Sequence, residues 1–350
     1  MTVQDNPNLV LPKGSLILVT GATGYIAGNV IFEALEVGYR VRGSSRSAAK
    51  ANTSDIFKSA NYETVVVPRM DVEGAFDEAV KDVDAIIHVA TPTSRSSDPK
   101  EVVGPAVQGI VSILNSALKE PRVKRFVYTS SSLAAALAKP NEKFKIDKNT
   151  WNTEVDAYVT QKGTPYLVYS ASKMKSELAL WGFVKEHQPA FVVNSVGLPG
   201  LLPRVLYHLT KRLKVVPCFN IGRVVVKGSW PSRVIIDMYE GKTDLWAAAL
   251  PQHMINVIDD ARLHLIAAMD GAVANERIIA MAYPYNRNDI LDVFRELRPG
   301  RRFPENDPEL GRDLSEVDNT LGVKLLKKWY GQESYTGLKE SIRQNLEGVA

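Results

Sequence analysis

Short apolar runs and stretches of helical apolar spacing alternate along the first half of the chain. Leu16-Ile-Leu-Val-Thr20, bounded by Gly14 and Gly21, reads as a buried strand. From about Gly24 to Val37 the apolar residues Ile26, Val30, Ile31 and Leu35 recur at helical spacing, and Gly38 ends the run. Tyr39–Ser44, Thr64–Val67, Ala85–Val89 and Arg125–Ser130 are predicted as further strands, with helical stretches between them, notably Val102–Lys119. Phe191–Val196 adds a sixth strand after a helix over Tyr169–Glu186. Strand, helix, strand in this rhythm predicts an α/β fold built on a doubly wound parallel sheet.

The rhythm breaks near Gly197. Pro199, Pro203, Pro217 and Pro231 punctuate a region that also holds Trp230 and Trp246. This region is expected to be a smaller, partly irregular substrate-binding part. Met254–Ile258 and Arg277–Ala282 are candidates for strands that return to the sheet, which would interleave the two parts. Lys139–Pro165 is a long polar stretch without clear period, expected to be a functional loop.

Composition narrows the chemistry. The 350 residues are 45% hydrophobic and 23% charged, which is ordinary globular composition. That length exceeds the usual single-domain mode of about 100–150 residues. One cysteine, Cys218, excludes an intrachain disulfide and a zinc site built on cysteine pairs, and reads as a buried thiol. His88, His187, His208, His253 and His264 are scattered without H-E-x-x-H spacing, so no metal is expected. A net charge of +4 is too weak to argue for nucleic acid. The first fifteen residues lack the order of a signal peptide, and no apolar run approaches the ~20 residues that span a bilayer. The sequon Asn52-Thr53-Ser54 has no secretory signal beside it. A cytoplasmic protein without membrane contact is the expectation.

Thr20-Gly21-Ala22-Thr23-Gly24-Tyr25-Ile26-Ala27 joins the first strand to the first helix. Gly21 permits a tight turn, Gly24 admits close backbone approach, and the helix start offers N–H groups to a pyrophosphate. In that context the loop predicts a Rossmann-type dinucleotide site. Between Arg42 and Lys50 the chain has no acid for a ribose 2′-hydroxyl; it has Arg42, Arg46 and Lys50. Basic groups there suit a 2′-phosphate, so NADP (as NADPH) is the expected cofactor. The bland reading is a solvated basic turn.

Tyr169-Ser-Ala-Ser-Lys173 places a phenol and an ammonium one turn apart on one helix face. A neighbouring cation lowers a tyrosine pKa, and such a phenol can give a proton to a carbonyl oxygen as hydride arrives at carbon. Thr129-Ser130-Ser131-Ser132 ends the fifth strand at the sheet's carboxyl edge, where a serine hydroxyl can orient the substrate. Each piece alone is weak; their order with the glycine loop is specific. His88 and His264 read as packed residues. Tyr207, Phe219, Trp230 and Trp246 are equally core or pocket.

Taken in that order, the motifs resemble the extended short-chain dehydrogenase/reductases over essentially the whole length. Val41-Arg-Gly-Ser-Ser-Arg-Ser47, Val123-Lys-Arg-Phe-Val-Tyr-Thr-Ser-Ser131, Ile146-Asp-x-x-x-Trp151-Asn152 and Asn256-Val-Ile-Asp-Asp-Ala-Arg-Leu-His264 are similar to fungal aldehyde/ketone reductases. The chain also resembles dihydroflavonol and cinnamoyl-CoA reductases. The resemblance implies Tyr169 as proton donor, Lys173 on the nicotinamide ribose and Ser131 on the carbonyl. It implies cofactor contacts from Thr20, Gly21, Thr23, Gly24, Tyr25, Ile26, Arg46, Lys50, Met70, Asp71, Ala90, Thr91 and Pro199, and substrate contacts from Thr93, Ser131, Tyr207 and Trp230.

Three departures stand out. Arg69 falls where the family has an acid that meets the adenine amine, with Asp71 two residues on. Val196-Gly197-Leu198-Pro199 carries one extra residue, and Leu201–Pro231 is unlike its relatives. The asparagine of the family's catalytic tetrad is not placed; Ser112 lies near its position. The implied activity is reduction of a small aldehyde or ketone by NADPH, in a monomer or homodimer. Residues 1–196, with segments near 254–285, would bind NADP, and 197–350 would mainly bind substrate. Two other readings keep the fold: an NAD-dependent nucleotide-sugar epimerase or dehydratase, and a non-catalytic NADP-sensing regulator. The acid-free Ser130–Leu133 stretch and the basic Arg46 and Lys50 argue against the first, and the retained Tyr/Lys pair against the second.

Overall fold

The computed structural model describes residues 7–47, 55–92, 96–197, 219–226, 230–242 and 250–349. In chain order its strands are β1 (Leu16–Thr20), β2 (Arg40–Ser45), β3 (Tyr62–Val66), β4 (Ala85–His88), β5 (Arg125–Thr129), β6 (Lys145–Ile146), β7 (Val192–Gly197), β8 (Phe219–Ile221), β9 (Gln252–Asn256), β10 (Arg277–Ile279), β11 (Tyr283–Tyr285) and β12 (Glu316–Val317). The α-helices are α1 (Tyr25–Val37), α2 (Pro99–Lys119), α3 (Pro165–His187), α4 (Trp230–Tyr239), α5 (Val257–Met269), α6 (Arg287–Leu297), α7 (Thr320–Tyr330) and α8 (Leu338–Asn345).

Seven parallel strands form the main sheet in the order β10-β7-β5-β4-β1-β2-β3. Side-chain alternation along each strand covers both faces. Leu18, Ile86, Phe126 and Val193 pack beneath α2 and α3. Ile17, Val19, Ile87 and Val127 pack on the other face with Val30 and Ile31 of α1 and Leu265 and Ile266 of α5. The strand order reverses between β1 and β4, and ligands bind such sheets at this switch point, at the carboxyl ends. Thr20 stands level with Ser44 and His88 across those ends.

All six expected strands are present. Of the two segments expected to return to the sheet, β10 does, beside β7. The other, β9, instead centres a separate sheet, parallel to β8 and antiparallel to β11. Its wholly buried run looks the same in either setting. The 139–165 stretch is less irregular than its composition suggests. It contributes β6, paired with β12, and 3-10 turns over Thr153–Val159. The helix bearing Tyr169 opens at Pro165, with the Thr164 hydroxyl accepting from Leu167 N–H at 3.3 Å. A threonine cap before a first-turn proline is a sufficient start signal, and it puts Tyr169 in the second turn. Among the described residues, α2 alone is long and apolar enough to cross a membrane, yet more than half of it is buried within the protein, as in a core helix.

Candidate active site

The glycine loop closes on itself and on β2. Gly24 N–H donates to Gly21 C=O at 2.8 Å, and Ala22 N–H to Ser44 C=O at 2.9 Å. Gly21 has φ +71°, and a Cβ there would sit 3.2 Å from Ala90. Backbone therefore approaches backbone across the switch point in a way only glycine permits without strain. Gly24 caps α1 without a side chain, and no acid lies in the first turn. These uncapped N–H groups and the positive end of α1 face the crevice, which fits a dinucleotide pyrophosphate. Thr20 braces the opposite wall: its Oγ1 accepts from Ala90 N–H at 3.0 Å and lies 2.9 Å from His88 Nδ1. Tyr25 and Ile26 are core residues rather than open contacts. The Tyr25 hydroxyl donates to Gly222 C=O at 2.8 Å, and burial pushes its pKa up.

The basic residues separate in space. Arg42 is committed elsewhere: its Nε donates to Glu63 at 2.6 Å, opposite it in the β2–β3 register, and its terminal nitrogen to Lys81 C=O at 2.6 Å. Arg46 is exposed just past the end of β2, with no partner among the described residues. Asp71 holds Arg69 through two bonds, 3.2 and 2.7 Å, which keep its carboxyl below the usual range. Its oxygens are thus already engaged by Arg69. Met70 packs against Gly109 of α2. Ser112 donates to Val72 C=O at 2.6 Å, so its hydroxyl anchors a loop and does not complete a tetrad.

Tyr169 and Lys173 both face inward from α3, and both are almost fully buried. Lys173 Nζ donates to Thr129 C=O at 2.9 Å, Thr91 Oγ1 at 3.2 Å and Tyr128 OH at 3.4 Å, which uses all three ammonium hydrogens. Burial pushes Lys173 down to about 8, against an opposing pull from Glu177. The Tyr169 hydroxyl bonds no described residue, and burial raises its pKa. The lowering expected from Lys173 is not expressed in this geometry, because the ammonium turns to the strand end and desolvation dominates. Tyr169 is therefore held in its protonated form.

The serines at the strand end divide by what they bond. Ser130 donates to Glu177 at 2.6 Å. Ser131 Oγ accepts from Leu133 N–H at 3.2 Å, which leaves its own hydrogen for another acceptor. Asn152 fastens this turn by donating to Leu133 C=O at 2.7 Å. His88 is neutral: burial among Phe76, Phe126 and Tyr128 pushes it down to about 3. His264 is buried too; its Nδ1 lies 2.9 Å from Asp260 C=O and its Nε2 2.8 Å from Thr129 Oγ1. Both histidines support the strand ends rather than face the crevice.

Thr20, Gly21, Thr23, Gly24, Ala90, Thr91, Ser131, Tyr169 and Lys173 thus gather along the carboxyl edge of β1, β4 and β5. Lys50, Thr93, Pro199 and Tyr207 lie outside the described residues, as do Cys218 and His208, and Trp230 is described only as the start of α4. Sequence reading missed Tyr128, Asn152, Glu177 and Arg277 around this centre. Glu177 had a signal, since it continues the Tyr169–Lys173 face by one more turn; Arg277 had none.

The model of the NAD dependent epimerase/dehydratase family matches residues 17–198. Aldehyde reductase 2 of Sporidiobolus salmonicolor is 35% identical over 96% of this chain and 96% of its own length. Ketoreductase adrE of Penicillium rubens is 33% identical over 96% of each chain. The structure of yeast methylglyoxal/isovaleraldehyde reductase Gre2 complexed with NADPH superposes with a TM-score of 0.73 over 95% of this chain and 98% of that one, at 24% identity, a likeness of fold. The chain belongs to the NAD dependent epimerase/dehydratase family of the extended short-chain dehydrogenase/reductases.

Proposed function

We propose that Tyr169, Ser131 and Lys173 carry the reduction of an aldehyde or ketone to an alcohol with NADPH. The likeness to aldehyde reductase 2 and ketoreductase adrE supports an oxidoreductase of carbonyl substrates, and the exposed Arg46 past the end of β2 supports NADPH as its cofactor. The observation that carries the assignment is the convergence of three groups at one strand end: a protonated Tyr169 hydroxyl that bonds no described residue, a Ser131 hydrogen that its bond to Leu133 leaves available, and the Lys173 ammonium beside Thr129. Ser131 would hold the carbonyl oxygen and polarise it. Tyr169 would deliver its proton to that oxygen, the role burial suits because it keeps the phenol protonated. Bound NADPH supplies the hydride. Lys173 would hold the nicotinamide ribose by giving up one of its two longer bonds, to Thr91 or Tyr128, and its charge would stabilise the phenolate left on Tyr169.

Gly21, Gly24, the start of α1, Thr20, Thr23 and Ala90 would cradle the pyrophosphate side, with Arg46 and Lys50 on the 2′-phosphate. In this reading residues 1–196 with β10 hold the cofactor, and most of 197–350 holds the substrate, a small carbonyl compound met in the cytoplasm. The strand end after Thr129 holds no carboxylate, which favours reduction over dehydration. Measuring NADPH oxidation against aryl ketones and α-keto esters tests the reading. Consumption with several of them is expected. No consumption, together with NAD⁺ recovered tightly bound from the purified protein, would replace it with epimerase or dehydratase chemistry.

A further inference from the structure

The reaction centre leans on a buried ion pair that its chemistry does not use. Glu177 lies one turn beyond Lys173 on α3 and is fully buried. Its Oε1 accepts from Ser195 Oγ at 2.6 Å and Arg277 Nε at 3.0 Å; its Oε2 accepts from Ser130 Oγ at 2.6 Å and an Arg277 terminal nitrogen at 3.1 Å. These bonds fill the acceptor positions of the carboxylate. Arg277 also donates to Thr150 C=O at 2.5 Å and stacks on Trp151 at 4.1 Å, next to Asn152. One carboxylate thus joins α3 to β5, β7 and β10, and through Arg277 to the segment that fastens Leu133.

A buried ion pair is weak evidence of a contribution to stability. Its position is what matters. Lys173 has around it Thr91 and His88 from β4 and the turn after it, Tyr128 and Thr129 from β5, and Tyr169 and Glu177 from its own helix. Burial holds Tyr128 and Tyr169 protonated and His88 neutral. Glu177 is the anion of this set, with Arg277 bonded to it as the paired cation.

We propose that Glu177, clamped by Arg277, is a positioning residue of the reductase. Through Ser130 it sets the Thr129–Ser131 strand end against α3, and through its charge it keeps Lys173 cationic in the working pH range. The opposition of Glu177 to the burial of Lys173 agrees with this. The inference rests on Lys173 and Ser131 acting as proposed above.

The test compares wild type, Glu177→Gln and Glu177→Asp, with thermal unfolding as the check on folding. For each, kcat/KM and the NADPH dissociation constant are followed against pH. Glu177→Gln removes the charge, so the alkaline limb of both profiles moves down by on the order of one pH unit. Glu177→Asp keeps the charge on a shorter arm, so the limb stays while kcat falls about tenfold or more through misalignment. A folded Glu177→Gln protein with the wild-type limb overturns the charge role. Wild-type kcat in Glu177→Asp overturns the alignment role, and decides the matter if the glutamine variant, with Arg277 unpaired, fails to fold. A Lys173→Met protein that kept the wild-type limb would count instead against the reading of the site itself.

Discussion

Two adjacent serines at the end of β5 differ in what their hydroxyls do, and substituting each in turn separates two kinds of loss. Ser131 accepts from Leu133 N–H through its oxygen, which leaves its hydrogen for a substrate oxygen. Removing one such donor to a developing oxyanion typically costs about 10²–10³ in rate, or ~2.7–4 kcal/mol. Ser131→Ala should therefore lose kcat/KM by roughly that factor. Its stability should fall only by the ~0.5–2 kcal/mol of a lost cap. Ser130 instead donates to the buried Glu177 carboxylate. A hydrogen bond to a charged group contributes ~1.5–3 kcal/mol, so Ser130→Ala should lose that much stability. Its kcat/KM should fall by about tenfold, the loss expected of Glu177→Asp, since the alignment through Glu177 is loosened while the donor to the carbonyl oxygen is kept. Denaturant unfolding and steady-state NADPH oxidation on both variants read the two losses directly. The reverse pattern, with Ser130→Ala catalytically dead and Ser131→Ala merely less stable, would refute the assignment.

Further outcomes follow from the cofactor side. Arg46→Ala should weaken NADPH by about 10- to 100-fold and leave NADH unchanged, because one charge-assisted contact to the 2′-phosphate is lost; fluorescence titration with both nucleotides checks this. Gly21→Ala forces a side chain into φ +71° and within 3.2 Å of Ala90. The left-handed backbone alone costs ~1–2 kcal/mol of stability, visible by thermal unfolding, and the displaced turn should weaken NADPH about tenfold. In wild type the cationic form of Lys173 is lost as pH rises through about 8. kcat/KM should be flat below that point and fall above it, whereas a limb near the ordinary lysine value would show that burial does not act on the ammonium.

The parts of the fold and site that were legible in sequence are those with local signals. β1 ends in a glycine turn, and Tyr169 and Lys173 share a helix face by spacing alone. The division between Arg42 and Arg46 was not local. Arg42 is turned away by Glu63, which faces it only once β2 and β3 pair. Arg277 is distant in sequence and reaches Glu177 only because β10 docks beside β7. The same long-range pairing misled the expectation for β9, whose buried run suits either sheet. Burial itself was the least visible: it overrides the influence of Lys173 on Tyr169, and no spacing rule reports how deeply a helix face is covered.

The central claim is that Tyr169 gives the proton to the carbonyl oxygen, and Tyr169→Phe tests it most directly. The substitution keeps the buried ring and removes only the hydroxyl. NADPH affinity and thermal stability should stay close to wild type, and turnover should fall by about 10²–10⁴. A Tyr169→Phe protein that binds NADPH and reduces its carbonyl substrate at the wild-type rate would contradict the account.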